Sequence, residues 1–477
     1  MRKLFRPGLA AAAAAAAVVV LGGAVRPDDA PGALQAQAEA AVSNPGEWTI
    51  LAWSVDRGQT LFAINADQAL VPASNNKVFS SIWALELLGP RYRFRTDLLV
   101  TGPVEGGVVR GDVVIRGSGD PAFGYPGIDK DPMKSPRAMV QTLVRKGIRV
   151  IEGGVLADAT VFDSLHYGPD WPKDTGNGAA MYAPTVSGLP FQRNMLWVEM
   201  TPGVGKGYEL EPHVPEIPVV NKARPGGGRG FAVRQPGEDT ITIKGGISGK
   251  GPHRYPIGVA NPALLSAAAI RQALVEAGIQ VRGPIRLGAT PEGAKLVHRH
   301  YSITLAEMLD RVNRDSDNFF AEHLWKAACA AAIGQGSYTD GGAASASFFH
   351  QRAKVPFGQL YQADGSGLSA RNRTSAFAMV NALHYAHRRP YSQVFHESLA
   401  IAGDADGSMR RMFNGTPAEG NLHAKTGYIR GVRSLSGFVK TRGGQTVIFS
   451  FIYNGRNTSG ARGVQIQLGN LLAEYAG

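Results

Sequence analysis

Ser74-Asn75-Asn76-Lys77, Ser316-Asp317-Asn318 and Lys425-Thr426-Gly427 occur in this order along the 477-residue chain. Together they offer a nucleophile, a base, a second proton carrier and a cationic anchor for a carboxylate. That is the equipment of a serine acyltransferase acting on a peptide with a free C-terminus. Residues three apart on a helix share a face, so the Lys77 amine can reach the Ser74 hydroxyl. A neighbouring base activates an otherwise poor nucleophile. Read with the other two motifs, Ser316 would pass a proton from Lys77 to a leaving amine, and Asn318 would hold Lys77 and touch the substrate backbone. Lys425 and Thr426 offer a charge and a hydroxyl to a carboxylate, and Gly427 lets the substrate backbone approach closely. The backbone N–H groups of Ser74 and Tyr428 are the expected oxyanion donors. Singly, each motif has a plainer meaning: an N-cap serine, a helix-start cluster, a surface turn. Their conjunction carries the chemistry.

The surrounding residues supply elements to position these groups. Pro72 argues for an extended approach that ends where a helix begins. Val78, Ile82, Trp83, Leu85 and Leu88 then recur at roughly helical spacing until Gly89-Pro90. Ser74 therefore falls at a helix start, where free N–H groups and the dipole favour developing negative charge. A second helix is expected after Asn318, through Trp325 to Ile333. Lys425-Thr426-Gly427 precedes a β-hairpin, with strands at 432–440 and 445–453 around a turn at 441–444, and so lies on an inner strand. Far more chain separates Lys77 from Ser316 than a helical subdomain needs. Short β-like runs at 98–100, 113–116, 196–200 and 240–243, broken by Gly/Pro turns, mark this stretch as a β-rich insertion. An amphipathic helix at 262–278 belongs to it. The catalytic domain is thus discontinuous, a central sheet with helices on both faces, and no internal repeat is visible.

With these residues in place, the chain resembles the class C low-molecular-weight penicillin-binding proteins, the S13 D-alanyl-D-alanine carboxypeptidases. Asp364-Gly365-Ser366-Gly367-Leu368-Ser369, with Asn372-Arg373 behind it, is similar to that family's DGSGLS segment. Asp406-Gly407-Ser408-Met409-Arg410 and Gly415-Thr416-Pro417-Ala418 lead into His423-Ala424-Lys425 as in relatives, and Gly431-Val432 and Leu435-Ser436-Gly437 continue the pattern. Gly117-Ser118-Gly119-Asp120-Pro121 resembles a loop usually written GGGDP, with Ser118 departing from it. Tyr182-Ala183-Pro184, Ser187, Asn194 and Thr201-Pro202-Gly203 resemble the family's insert.

The resemblance implies an α/β serine transpeptidase/β-lactamase-like domain with a central antiparallel sheet, interrupted by a β-rich insertion of two subdomains. The implied division is a signal peptide at 1–24, a catalytic domain at 25–95 and 296–477, one insertion subdomain at 96–165 and 256–295, and a second at 166–255. It also implies peptidoglycan stem peptides as substrates, β-lactams as covalent inhibitors of Ser74, and DD-endopeptidase action on cross-links. Asp158 aligns with a position near the cleft mouth that can contact a cationic substrate side chain.

Composition fits this reading and excludes others. With 44% hydrophobic and 18% charged residues, the chain is that of a folded globular protein. The net charge of +12 is scattered and accompanied by no nucleic-acid motif, so it suits an envelope rich in anionic polymers better. Arg2, Lys3 and Arg6 precede an apolar run from Leu9 to Leu21 and then Gly22-Gly23-Ala24, a secretory leader. The protein is expected to be exported to the periplasm or cell envelope of a bacterium, with peripheral or no membrane association once the leader is cut. Cys329, the single cysteine, reads as a packing residue. His298-Arg299-His300 and His384 with His387 lack a third ligand at a recognisable offset, so no metal and no cofactor is expected. The rivals are a β-lactamase-like hydrolase, although no ExxLN follows Asn318, and a silent peptidoglycan-binding protein, although all the reactive residues are present.

Overall fold

The strand Trp48–Ser54 shows no hydrophobic alternation because both of its faces are covered, and every residue in it is buried. It sits inside a six-stranded antiparallel sheet in the computed structural model, which describes residues 32–172, 181–202, 207–249 and 251–477. The strand order is Gln59–Ile64, Trp48–Ser54, Thr446–Asn454, Val432–Lys440, His423–Ile429 and Ala400–Ile401. A strand from early in the chain therefore pairs with one from late in it, inside one sheet. The expected leader at 1–24, and Gly203 of the insert pattern, lie outside the described residues.

Helices cover both faces. On one, Leu435, Phe449 and Phe451 pack with Leu34 and Ala38 of the helix Gly32–Ala41 and with Leu468 and Leu472 of Thr458–Glu474. On the other, Trp53, Phe438 and Ile448 join a core built from the helices Asn76–Leu88, Asn318–Ile333 and Ala376–His387. The helix Asn76–Leu88 stops at Gly89, and Asn318–Ile333 ends on the left-handed Gly334 at φ 93°. Cys329 is buried inside the latter helix.

The insertion leaves through Arg93–Val100 and returns through Lys295–Thr304, which pair antiparallel. With Val113–Gly117, Val155–Asp158 and Ile285–Leu287 they make a five-stranded sheet. The runs expected at 98–100, 113–116, 196–200 and 240–243 fall in Arg93–Val100, Val113–Gly117, Met195–Met200 and Ile241–Lys244. The helix expected at 262–278 runs Pro262–Glu276 and is buried on most sides rather than amphipathic. Leu98, Val140 and Leu265 of the larger sheet and its helices share one continuous hydrophobic core with Val198, Ile241 and Ile257 of the smaller sheets. The two parts of the insertion are thus joined through their interiors. Among the described residues no helix is long and apolar enough to cross a membrane.

Candidate active site

Ser74 is presented by a short turn under tension. The Asn454 side chain clamps Val71 through both of its backbone groups, at 2.9 and 3.0 Å. Ala73 then takes φ 48°, costly for a residue with a Cβ, and a 3-10 turn Ala73–Asn75 carries Ser74 into the helix Asn76–Leu88. Ser74 therefore precedes the first α-helical turn instead of opening it, and Lys77 lies just inside. Asn75 ties this turn to the sheet, accepting from Ser436 Oγ at 2.6 Å and donating to Lys425 O at 2.7 Å.

Lys77 is fully buried, and its Nζ has three partners: Ser74 Oγ at 3.1 Å, Asn318 Oδ1 at 2.6 Å and Ser366 O at 2.7 Å. Burial lowers its pKa to about 8, against the opposing pull of Glu322, Asp364 and Asp317. At pH 7 about one Lys77 in ten is neutral, where an ordinary lysine would offer about one in several thousand. Asn318 also donates to Tyr182 O at 2.7 Å, linking the catalytic helix to the insertion. Asp317 caps that helix by accepting from Phe319 and Phe320 N–H, and Arg193 of the insertion holds it at 2.5 Å. Ser316, at φ 62°, lines the same cleft as Ser74.

The strand His423–Ile429 forms the opposite wall. A Cβ on Gly427 would stand 2.0 Å from Ser434 Oγ, 2.9 Å from Pro72 O and 3.1 Å from Ser74 N, so only glycine lets this strand pass the nucleophile so closely. Beyond Ala424 the strand pairs on one side only, with Val432–Lys440, which leaves the edge at 425–429 open to the cleft. Thr426 and Tyr428 line that cleft, of about 410 Å³. Lys425 is fully buried, donates to Thr426 O at 3.0 Å, and has its pKa pushed well down by burial and by the nearby Lys77.

Glu322 is a site residue that motif reading missed. Fully buried, it accepts from Gly365 N–H at 3.0 Å, Ser366 N–H at 2.6 Å and Tyr338 OH at 3.0 Å. It thereby fixes the segment whose Ser366 carbonyl receives Lys77. Asp364 completes the brace from Gly367 N–H, Ser369 N–H and Trp171 Nε1. Burial lifts the Glu322 pKa to about 7. The signal was the one acidic residue in the helix Asn318–Ile333, one turn after Asn318.

Asp158 is not brought to this cleft. It is 4% exposed in the insertion sheet, where Thr160 takes one carboxylate oxygen and Thr290 the other. Its charge is already satisfied, which corrects the expectation of a contact at the cleft mouth. A separate cavity of about 390 Å³, beside His387, His396 and His423, contains none of the three motifs' residues. Among the described residues no three His, Cys, Asp or Glu side chains are grouped to hold a metal ion.

The model of the D-Ala-D-Ala carboxypeptidase 3 (S13) family matches residues 34–475. The chain belongs to this family. Among similar proteins, the D-alanyl-D-alanine carboxypeptidase of Actinomadura sp. (strain R39) is 31% identical over 446 residues, 88% of this chain and 80% of the relative. DacB of Haemophilus influenzae, a D-alanyl-D-alanine carboxypeptidase, is 25% identical over 418 residues, 86% and 85% of the two chains. The crystal structure of penicillin-binding protein 4 from H. influenzae superposes with a TM-score of 0.76 at 24% identity, covering 92% of this chain and 99% of that one. The fold of this S13 chain is therefore that of a penicillin-binding protein, as its motifs implied.

Proposed function

We propose that this S13 protein is a serine D-alanyl-D-alanine carboxypeptidase that trims peptidoglycan stem peptides through an acyl-enzyme on Ser74, and that it also opens cross-links as a DD-endopeptidase. The observation that carries the reading is the fully buried Lys77 amine, 3.1 Å from Ser74 Oγ and shifted to about pKa 8. Neutral Lys77 takes the Ser74 proton as Oγ attacks the carbonyl of the penultimate D-alanine. The substrate lies along the open strand edge at 425–429 as an added strand. The oxyanion is received by the N–H groups of Ser74 and Tyr428. The proton on Lys77 passes through Ser316 to the leaving nitrogen, the C–N bond breaks and D-alanine departs. Water then attacks the ester and restores Ser74. Asn318 holds Lys77 in register throughout, and Thr426 and Lys425 favour the substrate's negative end.

A β-lactam offers the same acyl carbon, and its ring nitrogen stays tethered after opening, so it acylates Ser74 and remains. The crystal structure of H. influenzae penicillin-binding protein 4 with a β-lactam is of the same fold. The proposed organisation keeps a catalytic domain at 25–95 and 296–477, with insertion subdomains at 96–165 plus 256–295 and at 166–255. Residues 1–24 serve as a leader for export to the cell envelope.

The test is digestion of cross-linked peptidoglycan by the protein without its leader, followed by mass spectrometry with Ser74→Ala as the control. Loss of terminal D-alanine from pentapeptides establishes the carboxypeptidase. Conversion of dimers to monomers adds the endopeptidase. Products identical with wild type and Ser74→Ala overturn the proposal.

A further inference from the structure

Two arginine side chains on one wall of the cleft play no part in the acyl transfer just described. Tyr428 and Arg433 are partners across neighbouring strands, so their side chains leave the same face, and the Arg433 guanidinium lies 4.2 Å from the Tyr428 ring centre. Thr426, two residues from Tyr428, points to that face as well. Arg462, from the helix Thr458–Glu474, lines the cleft beside Arg433, Thr426 and Ser74.

Among the described residues neither guanidinium is paired with a carboxylate. Arg433 Nε is buried without a hydrogen-bond partner among the described residues. Burial lowers its pKa first, and the repelling charge of Arg462 lowers it further. Arg462 donates to Arg411 O at 2.9 Å, a neutral acceptor. Asp315, the acidic residue lining the cleft, is paired with Arg311 at 3.1 Å. Two like charges on one cleft wall, with Arg433 partly withdrawn from water, favour an anion between them. Lys425 is less well placed for this task, because it is fully buried and its ammonium is turned to the Thr426 carbonyl. Guanidinium suits a carboxylate better in any case, since its planar fork binds both oxygens.

We propose that Arg433, supported by Arg462, binds the carboxylate that sits α to the leaving nitrogen and thereby sets the enzyme's preference for a free C-terminal acid. This inference rests on the carboxypeptidase reading. The same site serves a cross-link, because the amine released there also carries an α-carboxylate when it belongs to a D-configured amino acid centre. Arg433 is a specificity residue; the proton transfers stay with Lys77 and Ser316.

The experiment compares kcat/KM for an acylated L-Lys-D-Ala-D-Ala peptide and for its C-terminal amide, using wild type, Arg433→Ala, Arg433→Lys and Arg462→Ala. In Arg433→Ala the acid is expected to lose about 10- to 100-fold, the range for one charge-assisted hydrogen bond, while the amide changes by less than about threefold. Arg433→Lys, which keeps the charge without the fork, falls between. Arg462→Ala lowers the acid-to-amide ratio by a smaller factor. Retained amide cleavage shows that each variant is folded. An acid-to-amide ratio unchanged in Arg433→Ala overturns the assignment and leaves the carboxypeptidase intact. Failure of wild type to cleave either peptide overturns the carboxypeptidase reading and this inference with it.

Discussion

Lys77 Nζ lies 2.6 Å from Asn318 Oδ1 although 241 positions separate the two residues in the chain. The contact joins the two sides of the fold across the whole insertion, and it is one of three that orient the buried amine, the base of the proposed mechanism. Lys77→Met removes the base and is expected to slow acylation of Ser74 by a fluorescent penicillin at least about a thousandfold. Asn318→Ala removes only a hydrogen-bond partner of that base and should cost about 10- to 100-fold. Stopped-flow fluorescence measures both, and equal losses would contradict the division of roles.

The acylation rate should rise with pH. Lys77 acts when neutral, and its pKa is lowered to about 8 by burial, so the rate increases about tenfold per pH unit below that value and levels above it. A rate constant flat from pH 6 to 9 would exclude Lys77 as the base.

Glu322 sets where that rise occurs. Its carboxylate is the strongest of the charges raising the Lys77 pKa, so Glu322→Gln moves the midpoint of the pH profile to lower pH. The maximum rate falls as well, because the bonds from Gly365 and Ser366 N–H that hold the Lys77-accepting carbonyl are weakened. A lower maximum with an unmoved midpoint would reduce Glu322 to a packing role. The pH profile of penicillin acylation distinguishes the two.

Gly427→Ala tests the close approach of the strand to the nucleophile. The added methyl meets Ser434 Oγ first, and turning that hydroxyl away breaks its 2.6 Å bond to Pro72 O, which anchors the approach to Ser74. Acylation is expected to fall about 10- to 100-fold, with a loss of about 1–3 kcal/mol in stability. Thermal unfolding and penicillin labelling read these separately.

Two buried acids should each oppose folding as neutrality is approached. Asp120 is fully buried, its Oδ2 has no hydrogen-bond partner among the described residues, and burial lifts its pKa from 3.8 to about 7. Between those values the folded protein binds more protons than the unfolded chain, so stability falls as pH rises, by at most about 1.4 kcal/mol per unit for each such group. Glu322, raised from 4.5 to about 7, acts with the same sign. The buried His323 and the partly buried His384 and His396, whose pKa values burial lowers to about 3, 4 and 4, act with the opposite sign. The test is therefore a difference: the melting temperature of Asp120→Asn relative to wild type should rise from pH 4.5 to 7.5.

Much of the site was legible because its chemistry is written in local patterns. A serine and lysine three apart, an Asp that caps the next helix and a glycine beside a hairpin each constrain their own surroundings. What escaped the sequence depends on partners distant in the chain. Nothing near Glu322 names Gly365 and Ser366 as its partners. Arg433 reads as one more strand residue until Arg462 arrives on another element. Asp158 had the right charge, but two threonines already satisfy it. Even the hairpin shifted by one residue, beginning its second strand at Thr446, because Gln445 and Thr441 bond each other to close the turn. The single core through the insertion was hidden for the same reason, since short strands do not announce which sheet they share.

The central claim is a covalent intermediate on Ser74. The most direct measurement is intact-protein mass spectrometry after brief exposure to a penicillin, followed by peptide mapping of the adduct. One equivalent of opened penicillin, attached to the peptide that contains Ser74 and absent from Ser74→Ala, is the predicted result. An adduct on another residue, or no adduct on a folded protein, would contradict it.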